Sequence, residues 1–257
     1  MNRPRPAPAL FTVPLSSAAV FLDLDGTLAA FESTPSAVVP IAERSALITR
    51  LNARLDGRLA IISGRSIADV DRIVEGCCPA VAGVHGLERR CADGSTTAVT
   101  AHPALAQVRE AFTALAADKP GLLVEDKPAS VALHFRNAPG EATAVNALAR
   151  RLATQLGLTL QAGDMVAEVR TPGPDKGLAI EAFMAEAPFV GATPIFIGDD
   201  LTDEAGFAAV AKHGGIGILV GPARPTYAAA RLEGPSQVLE WLSLSLDVGA
   251  FSLEMTQ

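Results

Sequence analysis

Short apolar runs that end in small polar residues and lead into an amphipathic helix recur along this chain, and that alternation permits few folds. The run from Ala18 to Leu22 meets Asp23 and is followed by "PIAERSALITRLNARLDG", where Ile41, Ile48 and Leu55 stand seven apart and Leu47 and Leu51 four apart. "RLAIISGRS" is a second such strand, and "SIADVDRIVEG" a helix with a Ser-x-x-Asp capping box at Ser66 and a stop at Gly76. "AVAGVHG" reads as a third strand, and "LERRCADGSTTAV" as a hairpin turning at Asp93-Gly94. After "TPGPDKG" the alternation returns: helix 176–187, strand "TPIFIGDD", helix 202–212, strand "GIGILVG" and a terminal helix near 235–245. The pattern predicts an α/β fold with a doubly wound parallel sheet, whose ligands gather beyond the carboxyl ends of the strands.

Between these halves the pattern changes. Helix 103–117 opened by Pro103, strands "GLLVEDK" and "SVALHFR", helix 140–156, and strands "LTLQ" and "MVAEVR" read as αββ twice over. The repeat is one of pattern, without residue-by-residue identity, and it predicts a small sheet with both helices on one face. The expected organisation is a flexible tail at 1–17, a core from 18–100 and 171–257, and an inserted domain over 101–170 that can serve as a lid. Its two crossings lie near residues 100 and 171, where Pro172, Gly173 and Pro174 limit bending of the second.

The tail assignment rests on the prolines of "MNRPRPAPALFTVPLSS", which also interrupt any signal-peptide apolar stretch. No apolar run reaches the roughly 18 residues of a membrane span, so no membrane partner is expected and the cytoplasm is the expected compartment. Cys77, Cys78 and Cys91 read as reduced thiols in such a compartment. A formal net charge of −7 argues against a nucleic-acid surface. An anionic substrate would then need local help from a metal or a basic pocket.

Asp23, Ser63, and Asp199 with Asp200 each fall just after a predicted core strand, so a parallel sheet would gather them at one edge. A turn is the plain alternative for "LDLDGT", since Asp and Gly serve turns; the other strand ends favour chemistry. Asp23 and Asp25 stand too close to be the opposed carboxylates of a glycosidase. An EF-hand fails because Leu28 and Thr34 occupy the positions of its Gly and Glu. What remains is oxygen ligation of a hard cation by Asp23 and Asp199, which suits Mg²⁺ working on phosphate. Asp23 can then attack phosphorus to give an aspartyl phosphate, while Asp25 protonates the leaving alkoxide and later deprotonates water.

Ser63, with Gly64 beside it, can offer a hydroxyl and a backbone N–H to an anion. Lys176 can supply a fixed positive charge, although a lone Lys in such a loop is more often a surface residue. His85 in "GVHG" either touches ligand or packs, and Arg65 and Arg89 can bind phosphate or sugar, exposure being the plainer reading for Arg89. His102 and His213 read as helix-boundary residues. "GGIGILVG" fails as a dinucleotide loop because Val220 takes the place of the third glycine.

In chain order, "DLDGT", the Ser of "IISGRS", the Lys of "PDKG" and "GDDLTDE" resemble the four motifs of the haloacid dehalogenase superfamily of phosphatases. The resemblance implies a Rossmann-like core with an αββαββ cap inserted between the second and third motifs. "VFLDLDGTLAAFESTPSAV", "AGVHGLERR", "VEDKPASVALHFR", "AEVRTPGPDKG" and "IGDDLTDEAGF" are similar, more narrowly, to the trehalose-6-phosphate phosphatases. That similarity implies Asp23 as nucleophile and metal ligand, Asp25 as acid/base with its carbonyl on Mg²⁺, and Asp199 as a further ligand. Ser63 and Lys176 would hold the transferring phosphoryl group, with Asp200 and Asp203 as supporting carboxylates. Glu125, Lys127 and Glu168 of the cap would bind hydroxyls of a sugar phosphate, alongside Gly64, Arg65 and His85 of the core. A functional link to a trehalose-6-phosphate synthase is implied as well. Thr171 before Pro172 departs from the family's tendency to have Pro directly after Arg, away from the catalytic positions.

By pattern alone, the cap face carrying His134, Arg136, Glu168 and Arg170 is either solvated or turned to ligand. The alternatives are a related hexose- or sucrose-phosphate phosphatase, because preference resides in a few cap residues, and a non-catalytic sugar-phosphate sensor or regulatory subunit. The presence of both Asp23 and Asp25 argues against the last.

Overall fold

The computed structural model describes residues 10–32, 34–163 and 165–256, so residues 1–9 of the expected tail lie outside the described residues. The remainder of that expectation is corrected. Strand β1 (Leu10–Pro14) pairs antiparallel with Ala250–Glu254, and a 3-10 turn at Leu15–Ser17 follows it. The prolines do exclude a helix, but Phe11, Val13 and Leu15 alternate, and Val13 and Leu15 are buried. Their partner strand is distant in sequence: the hydroxyls of Thr12 and Ser252, 3.0 Å apart, are 240 positions apart.

The core then proceeds through β2 (Ala18–Leu22), α1 (Ala42–Arg54), β3 (Leu59–Ile62), α2 (Ile67–Val74) and β4 (Ala80–Gly83). The hairpin β5 (Glu88–Arg90) and β6 (Thr96–Ala98) encloses Asp93-Gly94. Next come α3 (Leu105–Ala117), β7 (Leu123–Lys127), β8 (Ser130–His134), α4 (Ala142–Leu156), β9 (Thr159–Gly163) and β10 (Val166–Arg170), in the αββαββ order. The core resumes with α5 (Lys176–Met184), β11 (Thr193–Gly198), α6 (Glu204–Lys212), β12 (Ile216–Val220), β13 (Ala230–Leu232), α7 (Pro235–Val248) and β14 (Ala250–Glu254).

Strands β13-β12-β11-β2-β3-β4 lie parallel in that order, with β5 and β6 added antiparallel at one edge. From β2 the chain winds outward one way through β3 and β4, and from β11 the other way through β12 and β13. The order therefore reverses between β2 and β11, where a doubly wound sheet opens its crevice. Both faces of β2 are covered. Val20 and Leu22 pack with residues of α1, α2 and α7, while Ala19 and Phe21 meet those of α5 and α6. This two-sided burial accounts for the unbroken apolar run.

The inserted region is a four-stranded antiparallel sheet, β7-β8-β10-β9. Val131, Leu133, Ala167 and Val169 share a separate apolar core with Val108 and Phe112 of α3 and Val145 and Ala149 of α4. The register sets Glu125 and Glu168 on either side of Ala132, on the opposite face. That face is not solvated: Glu168 and Arg170 are 3% and 4% exposed. The two crossings to the core are tied together, since the His102 N–H donates to Thr171 Oγ1 at 3.0 Å. Among the described residues, no helix is long and apolar enough to cross a membrane.

Candidate active site

Strand β2 carries Asp23 to the crevice, where its N–H donates to the Ile197 carbonyl of β11 at 2.9 Å. The chain reverses at once. The amides of Leu28 and Ala29 donate to the Leu24 carbonyl, and that of Gly26 to the Ala29 carbonyl. Gly26 has φ +80°, and a Cβ there would lie 2.3 Å from Asp199 Oδ2 and 2.8 Å from the Phe31 ring. Only glycine lets this turn close against the end of β11.

Carboxylate oxygens of Asp23, Asp199 and Asp203 lie within 4.8 Å of one another. Lys176 donates to Asp23 Oδ1 at 2.9 Å and to Asp203 Oδ1 at 2.6 Å. It is buried, unlike the surface lysine its loop context suggests, and it opens α5, where the helix dipole disfavours a cation. Burial also works against its charge, yet Asp203 and Asp23 hold the ammonium well above the ordinary lysine value. Burial pushes the Asp23 carboxyl up to about 8 against the pull of Lys176, with Asp203 and Asp25 adding to the rise. Asp199 is pushed to about 10 by burial and by its acidic neighbours Asp23, Asp203 and Asp200. Three carboxylates facing one ammonium are two positive charges short, a deficit that one divalent cation with a taste for oxygen would fill.

The three acids are not equivalent. Asp203 Oδ2 accepts the amides of Asp199 and Asp200 at 2.8 and 2.9 Å, and its Oδ1 accepts Lys176, so both oxygens are spent on holding the segment. Asp200 is also turned to structure, capping the 3-10 turn at Leu201–Asp203 through the Thr202 amide. Asp23 and Asp199 are left as the carboxylates open to a cation.

Ser63 departs from expectation in one respect. Its N–H donates to the Ala82 carbonyl at 2.8 Å and is thus unavailable to an anion, because the parallel ladder continues one residue past β3. Its hydroxyl accepts the Arg65 amide at 3.1 Å, which leaves the hydroxyl proton free, and the buried side chain does not line the cleft. Arg65 grips Asp25 with two parallel bonds, Nε to Oδ2 at 2.6 Å and Nη2 to Oδ1 at 2.8 Å. Its Nη1 donates to the Pro35 carbonyl. Burial works against the guanidinium charge, and Asp25 prevails, raising it above the ordinary arginine value. Arg89 is elsewhere, paired with Glu186 and set over the Phe183 ring. His102 precedes α3 and accepts the Ala104 amide, and His213 caps the carboxyl end of α6.

His85 both packs and faces the cleft. Val84 and His85 occupy the left-handed region at φ 47° and 56°, rare for residues with side chains, and doubly so for β-branched Val84. The resulting bend lays the imidazole on Gly64, where a Cβ would lie 2.7 Å from the ring. His85 Nε2 is 3.5 Å from Glu168 Oε2, and burial drives its pKa below the ordinary histidine value despite Glu168.

Above this floor sits the cap face. Lys127 Nζ donates to Glu168 Oε2 at 2.9 Å and, across to the core, to the Gly64 carbonyl at 3.0 Å. Glu168 Oε1 accepts the Ser130 hydroxyl. Burial alone would raise the Glu168 carboxyl, but Lys127, His85 and Ser130 hold it far below the usual carboxylate range. Glu125 pairs with His134 Nε2 at 2.8 Å and has Lys127 at 3.8 Å, and these partners outweigh burial to lower its pKa too. The Arg136 guanidinium lies 5.2 Å from the centre of the Phe31 ring. Core and cap residues together line one open cleft between them.

Of the anticipated residues, Asp23, Asp25, Gly64, Arg65, His85, Glu125, Lys127, Glu168, Lys176, Asp199 and Asp200 line this one cleft, while Ser63 and Asp203 stand behind it. Sequence reasoning singled out neither Ser130 nor Phe31, Glu32, Thr34, Pro35 and Val38, and it left the face of His134 open between solvent and ligand. Only His134 carried a signal, its place opposite the apolar face of "VALHFR".

A family model described as trehalose-phosphatase matches residues 21–236. The trehalose-6-phosphate phosphatase of Escherichia coli (strain K12) is 42% identical over 227 residues, covering 87% of this chain and 85% of its own. A solved trehalose-6-phosphate phosphatase related protein superposes with a TM-score of 0.74 at 26% identity, over 90% of this chain and 98% of that one. A haloacid dehalogenase-like hydrolase from Bacteroides thetaiotaomicron shares the fold, with a TM-score of 0.62 at 15% identity over 88% and 98% of the two chains. The chain thus belongs to the trehalose-phosphatase family, and it is a phosphatase with the haloacid dehalogenase-like fold that its four motifs suggested.

Proposed function

We propose that this phosphatase hydrolyses trehalose 6-phosphate to trehalose and phosphate through an aspartyl phosphate on Asp23, with Mg²⁺ held by Asp23, Asp199 and the Asp25 carbonyl. The observation that carries the reading is the buried, charge-deficient cluster of Asp23, Asp199, Asp203 and Lys176 beneath a cap face of Glu125, Lys127 and Glu168. When bound, the metal supplies positive charge to the phosphoryl oxygens. Asp23 Oδ2, which Lys176 leaves free, attacks phosphorus as the bond to the sugar oxygen breaks. Asp25 gives that oxygen its proton, and for this Arg65 has to release one of the two carboxylate oxygens it grips. Asp25 then takes a proton from water, which attacks phosphorus, breaks the bond to Asp23 and frees phosphate. Lys176 has a third N–H for a phosphoryl oxygen, and Ser63 offers its hydroxyl from behind the lining.

Glu125, Lys127 and Glu168 trade their present hydrogen bonds for those of sugar hydroxyls, and closure of the cap keeps water from the first attack. The substrate would come from a trehalose-6-phosphate synthase, in the same cytoplasmic compartment. The test is phosphate release, with Mg²⁺, from trehalose 6-phosphate, glucose 6-phosphate and sucrose phosphate. The disaccharide trehalose 6-phosphate is expected to be hydrolysed fastest. Equal or faster release from another ester would move the assignment to a related sugar-phosphate phosphatase, and binding without release would make the chain a sensor.

A further inference from the structure

The segment carrying Asp199 is held from a second side. Arg224, in the loop between β12 and β13, donates from Nη2 to the Asp200 carbonyl at 2.7 Å and to the Asp199 carbonyl at 3.4 Å. Its Nη1 pairs with Glu204 and reaches the Pro225 carbonyl at 3.2 Å. Glu204 is the first residue of α6, next to Asp203, and its other oxygen accepts the Tyr227 amide at 2.8 Å and the Thr226 hydroxyl at 3.2 Å. The Asp199 and Asp200 peptides are therefore gripped at both polar ends: their N–H groups by Asp203, their carbonyls by Arg224. These bonds of Arg224 to the segment go to main-chain oxygens, so they constrain the backbone and leave the Asp199 carboxylate open. Arg224 itself is not among the residues lining the cleft.

We infer that Arg224, braced by Glu204, is a positioning residue that aims the Asp199 carboxylate and thereby sets the affinity of the carboxylate cluster for Mg²⁺. The inference rests on the metal reading proposed above. Partners that orient metal ligands typically change affinity by about 10–100-fold, and a brace acting through the backbone belongs at the lower end. Mg²⁺ binding to the intact protein, measured by calorimetry and by the metal-dependent rise in unfolding temperature, is the test, since neither readout needs substrate. Arg224→Gln should weaken Mg²⁺ about tenfold. Arg224→Lys, which keeps the charge but loses the fork, should fall between it and the wild type. Affinity within twofold of wild type in Arg224→Gln overturns the inference. If that variant does not fold, Glu204→Ala serves instead: severalfold weaker binding supports the brace, and binding within twofold of wild type overturns it. A wild-type protein that binds no Mg²⁺ sinks the metal reading itself, whereas equal binding by wild type and Arg224→Gln sinks the brace alone.

Discussion

Floor and roof of the cleft bury acids to similar depth and treat their charge in opposite ways. On the floor, Asp23 and Asp199 are raised to about 8 and about 10, because burial and crowding outweigh the single ammonium of Lys176. In the roof, burial also works to raise Glu168 and Glu125, yet both are lowered, because Lys127, His85, Ser130 and His134 give them partners. Burial alone therefore does not decide the state of an acid; the number of compensating groups around it does. The floor is built short of positive charge, whereas each roof acid has hydrogen-bonding partners. That contrast fits a floor that takes a cation and a phosphoryl group, and a roof that exchanges one set of hydrogen bonds for another.

Three experiments would break or sharpen the contrast. The largest effect belongs to the floor: Asp23→Asn should reduce phosphate release at least about 10⁴-fold, the scale of losing a nucleophile. Full turnover in that variant would remove chemistry from the floor. A smaller and selective effect belongs to the roof. Lys127→Met gives up charged hydrogen bonds to Glu168 and Gly64, so KM for trehalose 6-phosphate should rise about 10–100-fold, the scale of a charge-assisted bond, while p-nitrophenyl phosphate turnover stays near wild type. Equal losses on both esters would mean that roof and floor are not separable.

The smallest effect is on stability. Glu168 has a folded pKa below its unfolded value of about 4.3, so its contribution is present above that pH and is lost as pH falls below it. His85 is held below the ordinary value of about 6.5 when folded, so the unfolded chain takes up its proton more readily and stability also falls as pH drops through that value. Unfolding temperatures measured at pH 5 and pH 3.5 should drop further in wild type than in Glu168→Gln. Parallel drops in the two proteins would show that the roof acid carries no such linkage.

The floor was legible in the sequence because one rule about parallel sheets turns separate strand ends into one place: Asp23, Ser63 and Asp199 each follow a short apolar run. The grips between side chains were not. Arg65 and Asp25 are 40 positions apart, Arg224 and the Asp200 carbonyl 24, and His134 and Glu125 nine on neighbouring strands. No local pattern encodes such meetings. Strands β1 and β14 escaped for a related reason, since each is short and finds its partner at the far end of the chain. The buried state of the cap's polar face was equally illegible, because alternation says which residues share a face and not what lies opposite.

The bond between His102 and Thr171 has a mechanical consequence. Two crossings tied at one point leave rotation about that point as the cheapest movement of the cap, which makes the cap sheet a lever pivoted beside Thr171. Lys127, Ser130 and Arg170 stand at the pivot end, and Leu123, His134 and Val166 four residues further out, about 13 Å away at about 3.3 Å per residue. A swing of about 10° would carry the outer end about 2 Å and Lys127 far less. Spin labels placed at Asn137 and at Thr159, each paired with a label in the core, would report this as a wider spread of distances for Asn137. In such a swing the contact of Arg136 with Phe31 would part while Lys127 still touched Gly64, so the jaw would open from its tip, with its firmest tooth beside the joint.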